Sequence, residues 1–180
     1  MTQSRISIIS GSPGTGKSTI APILAMSSIY EKAASIELDH FWGYIRKGYI
    51  LPWENGSGDQ NDTIIEAVAL SAEKYAQNGY DVYVAGVIGP WYIEPWQEIA
   101  KSGIDVRYII LRPCEETTVS RFTERTDKFS LNAEIVRDIW HNFANLGIYE
   151  SNAVDTTGQT VEESVSLLKH MINEGFFRIK

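Results

Sequence analysis

Short apolar runs alternate along this chain with stretches in which apolar residues recur every three or four positions. A nearly continuous apolar run bounded by turn residues is typical of a strand that is covered on both faces. These runs predict strands over Arg5–Ile9, Ala33–Leu38, Tyr80–Ile88, Val106–Leu111 and, from a weaker pattern, Tyr149–Asp155.

The stretches between the strands have the period of about 3.6 residues that belongs to helices with one buried face. They predict helices through Ile20–Leu24, over Asp62–Gln77, up to Lys101, over Glu115–Arg125, from Asn132 towards Phe143, and through Val161–Met171. Strands separated by helices indicate βαβ units, so we predict an α/β fold with a parallel sheet. The one long irregular stretch is Trp42–Gln60, and long ordered loops in compact domains are usually functional.

Size and composition narrow the class of protein. The chain has 180 residues, of which 43% are hydrophobic, as expected for a single domain over residues 1–180. The apolar stretch Ile6–Ile9 is too short for a secretion signal or a membrane helix, so we expect a cytoplasmic protein with no membrane partner. Cys114 is the only cysteine, which excludes an internal disulfide. The net charge of −7 argues against a nucleic-acid partner.

One motif carries specific chemistry. Residues 11–18 read GSPGTGKS and match the phosphate-binding pattern G-x-x-x-x-G-K-[ST] in full, between a predicted strand and a predicted helix. Glycines let successive backbone N–H groups face phosphate oxygens, and the helix N-terminus adds its positive dipole. In this pattern Lys17 reaches the β- and γ-phosphates, and the Ser18 hydroxyl ligates Mg²⁺. The motif predicts that ATP and Mg²⁺ are bound by Gly11, Ser12, Pro13, Gly14, Thr15, Gly16, Lys17, Ser18 and Thr19.

The whole chain resembles the small P-loop kinases, a family that includes shikimate kinase, gluconate kinase, chloramphenicol phosphotransferase and the adenylate-kinase-like enzymes. It is most similar to a bacterial group of predicted ATP-dependent phosphotransferases. The sharpest local matches are Asp39–Trp42, Gly48–Trp53, Gly86–Trp91, Leu111–Pro113 and Asp155–Gly158. The resemblance implies a three-layer P-loop NTPase fold with helices on both faces of a five-stranded parallel sheet of order 2-3-1-4-5. It also implies an arginine-bearing lid over the phosphates.

Asp39 directly follows the second predicted strand, at the sheet edge where open α/β folds bind ligands. A carboxylate there can accept the proton of an attacking hydroxyl, and in the resembling kinases an aspartate at this place contacts the acceptor hydroxyl. We therefore predict a catalytic role for Asp39; the alternative is that it only caps a helix starting at His40. Glu37 points to the same face, and either holds a Mg²⁺-bound water or is an ordinary surface residue.

The third predicted strand departs from the resembling sequences. They carry an aspartate immediately before the glycine of the Gly86–Trp91 segment, whereas this chain has Ala85. Because Mg²⁺ keeps several waters and needs few carboxylates, Asp39 or Glu37 can suffice. The alternative is that the activity is weak or lost.

Aromatic residues follow the second and third predicted strands, so they should meet at one edge of the sheet. They are Phe41, Trp42, Tyr44, Tyr49, Trp53, Trp91, Tyr92 and Trp96. We predict an acceptor-binding region over about residues 40–60 whose aromatic faces suit a ring-bearing molecule, with Arg46 and Lys47 near enough to pair with an anion. The alternative is a hydrophobic cluster under a long loop.

Arg121 and Arg125 lie four residues apart on one face of a predicted helix. The resemblance puts the lid here, over about residues 121–131, and the adenine-binding loop at Thr156–Gln159. A planar, always ionised guanidinium suits the spread charge on a transferring phosphoryl group, so at least one of the two is predicted to be catalytic, with Arg125 favoured. The alternative is an ordinary solvated face paired with neighbouring acids.

These residues predict an ATP-dependent kinase that transfers the γ-phosphoryl group to a hydroxyl of a small acceptor such as a sugar, an aminocyclitol or an antibiotic-like molecule. One alternative is a polynucleotide or nucleotide kinase, which would share the loop and Asp39 but is disfavoured by the net charge of −7. Another is a non-catalytic nucleotide-binding module or NTPase, supported only by Ala85. We expect a monomer or a dimer.

Overall fold

A parallel sheet of five strands forms the middle of the molecule in a computed structural model that describes residues 4–124 and 131–179. The strands are β1 (Arg5–Ser10), β2 (Ala33–Glu37), β3 (Asp81–Gly86), β4 (Asp105–Leu111) and β5 (Ala153–Val154). Their order across the sheet is β2-β3-β1-β4-β5, and each neighbouring pair is parallel. The strand order implied by the resemblance is therefore confirmed.

Helices cover both faces of this sheet, as expected. They are α1 (Lys17–Met26), α2 (Leu38–Trp42), α3 (Gly58–Gln77), α4 (Glu94–Lys101), α5 (Glu115–Thr123), α6 (Ala133–Asn142) and α7 (Val161–Asn173). Successive strand residues face opposite sides, so β1 supplies Ile9 to the core cluster beneath α1 and α7, and Ile8 to the cluster beneath α3 and α4. None of the helices in the described residues has the length and apolar content that crossing a bilayer requires.

The predicted strand Tyr149–Asp155 is wrong over most of its length. A 3₁₀ helix occupies Gly147–Asn152, and only Ala153–Val154 pair with β4. The side-chain Nδ2 of Asn152 donates a hydrogen bond to the backbone carbonyl of Tyr108 at 2.7 Å. A side chain therefore occupies the β4 acceptor that a longer β5 would have bound.

The stretch Trp42–Gln60 is less irregular than predicted, because α2 ends at Trp42 and α3 begins at Gly58 rather than at Asp62. We call the connection between them, residues 43–57, the α2–α3 loop.

Side chains at the start of α3 tie down the α2–α3 loop. The Gln60 amide donates to the carbonyl of Ile50 at 2.6 Å and accepts from the Ile50 N–H at 2.9 Å. Ser57 Oγ and Asn61 Nδ2 both donate to the carbonyl of Pro52, at 2.9 and 2.8 Å. These bonds hold an otherwise irregular segment in one conformation beside the carboxyl edge of the sheet.

Candidate active site

The phosphate-binding loop, residues 11–18, joins β1 to α1 at the carboxyl edge of the sheet. Gly11 and Gly14 have φ angles of 141° and 90°, which residues with side chains rarely adopt. A Cβ atom at Gly11 would lie 2.4 Å from the carbonyl oxygen of Leu111, and one at Gly14 would lie 2.4 Å from that of Thr118. The loop needs glycine at both places because its backbone lies directly against the end of β4 and against α5.

Hydrogen bonds within the loop fix its shape. Lys17 Nζ donates to the carbonyl of Ser12 at 3.2 Å, and Thr15 Oγ1 donates to the same oxygen at 2.9 Å. Ser12 Oγ donates in turn to the carbonyl of Val136 in α6, at 3.2 Å. Lys17 is only 5% exposed, so its ammonium adds to the positive N-terminal end of α1 in a place that is poorly screened by water.

Ser18 and Glu37 bring a hydroxyl and a carboxylate together next to the loop. Ser18 Oγ donates to Glu37 Oε1 at 3.2 Å. Burial raises the pKa of Glu37, the negative charge of Asp39 raises it further, and Lys17 and the Ser18 hydrogen bond oppose the rise. In the pairing of β2 with β3, Glu37 lies opposite Ala85. The carboxylate that Ala85 lacks is therefore present on the neighbouring strand.

A cavity of about 570 Å³ opens on one side of the loop, and we call it the nucleotide-side cavity. The residues that line it come from the loop, from the first turn of α1, from α5 and from the start of α7. They are Gly14, Thr15, Gly16, Lys17, Ser18, Thr19, Ile20, Arg121, Gln159, Thr160, Val161 and Ser164. Seven of these residues, Gly14–Ile20, are consecutive in the sequence, so one short segment supplies most of this wall.

Arg121 lies in the wall of this cavity and is held by the chain that follows β5. Its Nη2 donates to the carbonyls of Thr156 and Gln159, at 3.2 and 3.1 Å. The expected adenine-binding loop, Thr156–Gln159, therefore contacts a predicted catalytic arginine. The other predicted arginine, Arg125, lies outside the described residues, as does most of the expected lid.

A second cavity of about 280 Å³ opens on the other side of the loop, and we call it the acceptor-side cavity. Its walls are mostly aromatic and aliphatic. The lining residues are Pro13, Lys17, Ser18, Leu38, Asp39, Trp42, Tyr49, Pro52, Trp53, Asn61, Ile65, Val87, Trp91, Tyr92, Phe122, Leu131, Ile139 and Asn142. Lys17 and Asp39 are the only charged side chains among the described residues that line it.

The aromatic residues predicted for an acceptor pocket divide into two groups. Trp42, Tyr49, Trp53, Trp91 and Tyr92 line the acceptor-side cavity. The remaining ones have other places in the fold.

Trp96 is fully buried in the core beneath α3 and α4, whereas Tyr44 is 71% exposed and contacts Phe41 edge-on, with ring centres 5.6 Å apart. Arg46 and Lys47 are exposed and are not among the residues that line the cavity. Their pairing with an anion stays a prediction.

Lys17 and Ser18 line both cavities, so the two spaces meet at the phosphate-binding loop. Asp39, in the short helix α2, lies in the wall of the acceptor-side cavity only. In the described part of the chain, no group of three or more His, Cys, Asp or Glu side chains could hold a metal ion by itself. The Ser18 and Glu37 oxygens are hard donors of the kind that Mg²⁺ prefers, and they suit a site that is completed by phosphate oxygens and water.

Asn61 is a site residue that the sequence analysis missed. It is 7% exposed, lines the acceptor-side cavity, and reaches the α2–α3 loop through its side-chain Nδ2. It directly precedes the predicted helix Asp62–Gln77 and carried no signal there, because an asparagine at a helix start is ordinary. The contact of Asn61 with the α2–α3 loop could only be found from the three-dimensional structure.

Comparison with known proteins adds information at the level of fold. No family model matches the chain, and no curated protein sequence matches it. Solved structures resemble it over nearly its full length.

An APS kinase of Mycobacterium tuberculosis, in complex with AMPPNP and APS, has a TM-score of 0.71 at 12% identity, covering 96% of this chain and 99% of that chain. A sugar kinase from Janibacter has a TM-score of 0.67 at 17% identity, covering 94% and 95%. A shikimate kinase from Acinetobacter baumannii, in complex with shikimate, has a TM-score of 0.62 at 18% identity, covering 97% and 96%. The chain therefore has the fold of the small P-loop kinases, as the resemblance implied.

Proposed function

We propose that this chain is an ATP-dependent kinase that transfers the γ-phosphoryl group to a hydroxyl of a small molecule. The observation that carries the proposal is that Lys17 and Ser18 line both the nucleotide-side and the acceptor-side cavity. Phosphoryl transfer needs the attacking and leaving oxygens roughly in line on opposite sides of phosphorus. Two cavities that meet at one phosphate-binding loop suit that requirement. Solved kinases of the same fold, one with AMPPNP and APS and one with shikimate, support it.

The loop binds and orients the nucleotide. Its backbone N–H groups and the N-terminus of α1 face the phosphates, and Lys17 neutralises charge that builds up on the β- and γ-phosphate oxygens. Because Lys17 is buried beside both cavities, its charge acts at the bond that breaks with little screening by water. Arg121, in the wall of the nucleotide-side cavity, contributes a second positive charge.

Ser18 and Glu37 would hold Mg²⁺ on this loop. The Ser18 hydroxyl oxygen is a direct ligand in this motif, and the Glu37 carboxylate, 3.2 Å from that oxygen, would orient Ser18 and a metal-bound water. When bound, the ion would neutralise phosphate charge and hold the β- and γ-phosphates in one geometry. Glu37 thereby takes the place of the acid that is absent at Ala85, its partner in the sheet.

Asp39 acts on the acceptor. Its carboxylate accepts the proton of the acceptor hydroxyl while the hydroxyl oxygen forms a bond to the γ-phosphorus. The bond between that phosphorus and the β–γ bridging oxygen breaks at the same time, so the products are the phosphorylated acceptor, ADP and the proton on Asp39. Asp39 lines the acceptor-side cavity and not the nucleotide-side cavity, which fits a role towards the acceptor rather than the nucleotide. Arg125, on the expected lid, is proposed to stabilise the charge spread over the transferring group.

A screen for acceptor-dependent ADP formation tests the proposal. The full chain is incubated with ATP, Mg²⁺ and a library of sugars, aminocyclitols, amino alcohols and antibiotics, and Lys17→Ala is the control for contaminating kinases. ADP that forms only with particular library members, together with a product of phosphate-added mass, supports the proposal. ADP formation at one rate with every library member would favour a plain NTPase instead.

A further inference from the structure

Only one of the two polar atoms of the Asn61 side-chain amide has a hydrogen-bond partner among the described residues. Its Nδ2 donates to the carbonyl of Pro52 at 2.8 Å and to Ser57 Oγ at 3.2 Å. Its Oδ1 is buried and has no hydrogen-bond partner among the described residues. Other buried side-chain atoms without a partner belong to Ser7, Trp96 and Thr156, and none of those residues lines either cavity. Asn61 therefore differs from them in belonging to the wall of a cavity.

The contacts of Asn61 also decide which atom of its amide is the oxygen. The carbonyl of Pro52 can only accept a hydrogen bond, and the Ser57 hydroxyl already donates its proton to that carbonyl at 2.9 Å. Turning the amide over would set Oδ1 against two acceptors and lose both bonds. The unpartnered atom is thus an acceptor, and it calls for a hydrogen-bond donor.

The neighbouring residue provides an internal comparison. Gln60 ties the same α2–α3 loop, but both ends of its amide bond the backbone of Ile50, so no polar atom of that amide is left over. Holding the loop therefore does not require an unpartnered oxygen. The free Oδ1 of Asn61 is a separate feature that coincides with the acceptor-side cavity.

The charges of the cavity restrict its ligand further. Asp39 and Lys17 are the only charged side chains among its described lining residues, and Lys17 belongs to the phosphate-binding loop. Among the described lining residues, a carboxylate or sulfate on the acceptor would meet no cation other than Lys17, and Asp39 would repel it. The aromatic and aliphatic walls instead favour an uncharged ring.

We propose that the phosphoryl acceptor is an uncharged, ring-bearing molecule with a second hydrogen-bond donor, a hydroxyl or an amide N–H, that Asn61 Oδ1 accepts. Asn61 is thus a specificity-determining residue: it selects for the donor while Asp39 serves the hydroxyl that is phosphorylated. This inference rests on the proposed kinase function, since it concerns the acceptor of that reaction. It assigns the chemical class of the acceptor, which the proposed function leaves open.

Three small probes test the inference on the full chain without any turnover. Phenol is a neutral ring with one donor, anisole is a similar ring without a donor, and benzoate is an anionic ring. Saturating AMPPNP and Mg²⁺ fill the phosphate-binding loop first, and their binding is measured separately. Dissociation constants for the probes are then taken from chemical-shift changes of the tryptophan indole N–H groups, because Trp42, Trp53 and Trp91 line the cavity.

We expect phenol to bind about five- to tenfold more tightly than anisole, the usual net value of one hydrogen bond, and benzoate at least about tenfold more weakly than phenol. Because Asp39 in the same cavity also accepts a hydroxyl proton, these variants are compared in an Asp39→Ala background. There, Asn61→Ala should lower the preference for phenol over anisole to about one, whereas Gln60→Ala, which loosens the same loop, should keep it. Thermal melting confirms that each variant is folded, and Asn61→Leu, closer in volume, replaces Asn61→Ala if the latter does not fold.

Benzoate binding as tight as that of phenol would overturn the uncharged class, and so would the absence of phenol binding by the wild-type chain. A phenol preference that survives in folded Asn61→Ala or Asn61→Leu, or that Gln60→Ala removes equally, would overturn the assignment of Asn61. Failure of the proposed function would appear in AMPPNP binding or in the acceptor screen, whereas failure of this inference would appear only in the probe ratios.

Discussion

The two cavities on either side of the phosphate-binding loop are built in opposite ways. The nucleotide-side cavity is lined mainly by the consecutive residues Gly14–Ile20, from the phosphate-binding loop and the start of α1. The acceptor-side cavity is lined by side chains from segments far apart in sequence, from Pro13 to Asn142. The first can be recognised from a short motif, whereas the second has mostly aromatic and aliphatic walls and exists only in the folded chain.

This difference separates phosphate binding, which can serve many substrates, from acceptor binding, which selects one kind of molecule. Backbone N–H groups and a helix dipole bind phosphate whatever molecule carries it, so one motif serves many substrates. Side chains select a ligand by shape and by the donors and acceptors they leave unpaired. Substitutions at the loop should therefore abolish all activity, while substitutions in the acceptor-side cavity should change transfer and leave nucleotide binding intact.

The largest expected effect is that of Lys17→Ala. Because Lys17 lines both cavities, its loss should impair both nucleotide binding and phosphoryl transfer. We expect kcat/KM for acceptor-dependent ADP formation to fall by at least about 10³-fold, through lost transition-state stabilisation and weaker nucleotide binding together. Steady-state kinetics and AMPPNP titration measure the two parts. Lys101→Ala is the matched control, since that lysine is exposed and pairs with Glu98 on α4. A folded Lys17→Ala protein with the wild-type rate would contradict the loop assignment.

Asp39→Asn should lower phosphoryl transfer to the acceptor and leave nucleotide binding unchanged. The change keeps the shape of the side chain and removes the charge that accepts a proton, so kcat for acceptor phosphorylation should fall by about 10²-fold. Nucleotide affinity should stay constant, because Asp39 lines the acceptor-side cavity only. Asp59→Asn, at an exposed position in the first turn of α3, is the control. A fall in nucleotide affinity that extra Mg²⁺ restores would instead show that Asp39 organises the metal.

The elements that could be predicted from the sequence are those whose pattern reflects local burial. β1, β3 and β4 are buried along nearly their whole length, so their apolar runs are nearly continuous. β5 could not be predicted in its true extent, because the side chain of Asn152, rather than a backbone N–H, donates to the Tyr108 carbonyl on β4. This side-chain hydrogen bond depends on the distance between two segments, so it leaves no periodic signal in the sequence.

The same contrast holds for the site residues. The phosphate-binding loop could be read directly, because its chemistry needs glycines and a lysine at fixed spacing. The role proposed for Glu37 depends on its position opposite Ala85 on the neighbouring strand, and the one proposed for Asn61 depends on the carbonyl of Pro52 in a separate loop. Neither relation is visible without the sheet register or the fold of the α2–α3 loop.

Arg121→Ala is expected to act on the nucleotide-side cavity alone, with a smaller effect. The guanidinium bonds the carbonyls of Thr156 and Gln159 and lines that cavity, so its loss should weaken nucleotide binding by about tenfold with little change in kcat. For Arg125→Ala we expect the reverse, a lower kcat with nearly unchanged nucleotide affinity, because its contact should strengthen in the transition state. Arg46→Ala, exposed and outside the lining of both cavities, is the control. Equal effects of both substitutions on affinity would contradict this division.

The smallest expected effect concerns the stability of the free protein and comes from Glu37, which accepts a hydrogen bond from Ser18, a residue that lines both cavities. Burial, reinforced by the negative charge of Asp39, raises the pKa of Glu37 above the ordinary value of 4.5. A carboxyl with a raised pKa in the folded state gives its full contribution to stability below its unfolded pKa and loses it as the pH rises through the folded value. At neutral pH the ionised side chain therefore opposes folding, and Glu37→Gln, which keeps an oxygen for Ser18, should be the more stable protein.

We expect Glu37→Gln to raise the Tm of the free chain by about 1–3 °C at pH 7, and the difference to vanish as the pH falls below the ordinary glutamate range, where both side chains are neutral. Thermal melting of both proteins across this pH range measures it, with Glu31→Gln as an exposed control. With AMPPNP and Mg²⁺ present the order should reverse, because the wild-type carboxylate then faces the ion and gains more from ligand binding than the amide does. A variant that is less stable than wild type at pH 7 without ligand would mean that Lys17 already compensates the charge of Glu37 fully. In that case the ionised carboxylate would stabilise the free protein, rather than destabilising it until a metal ion binds.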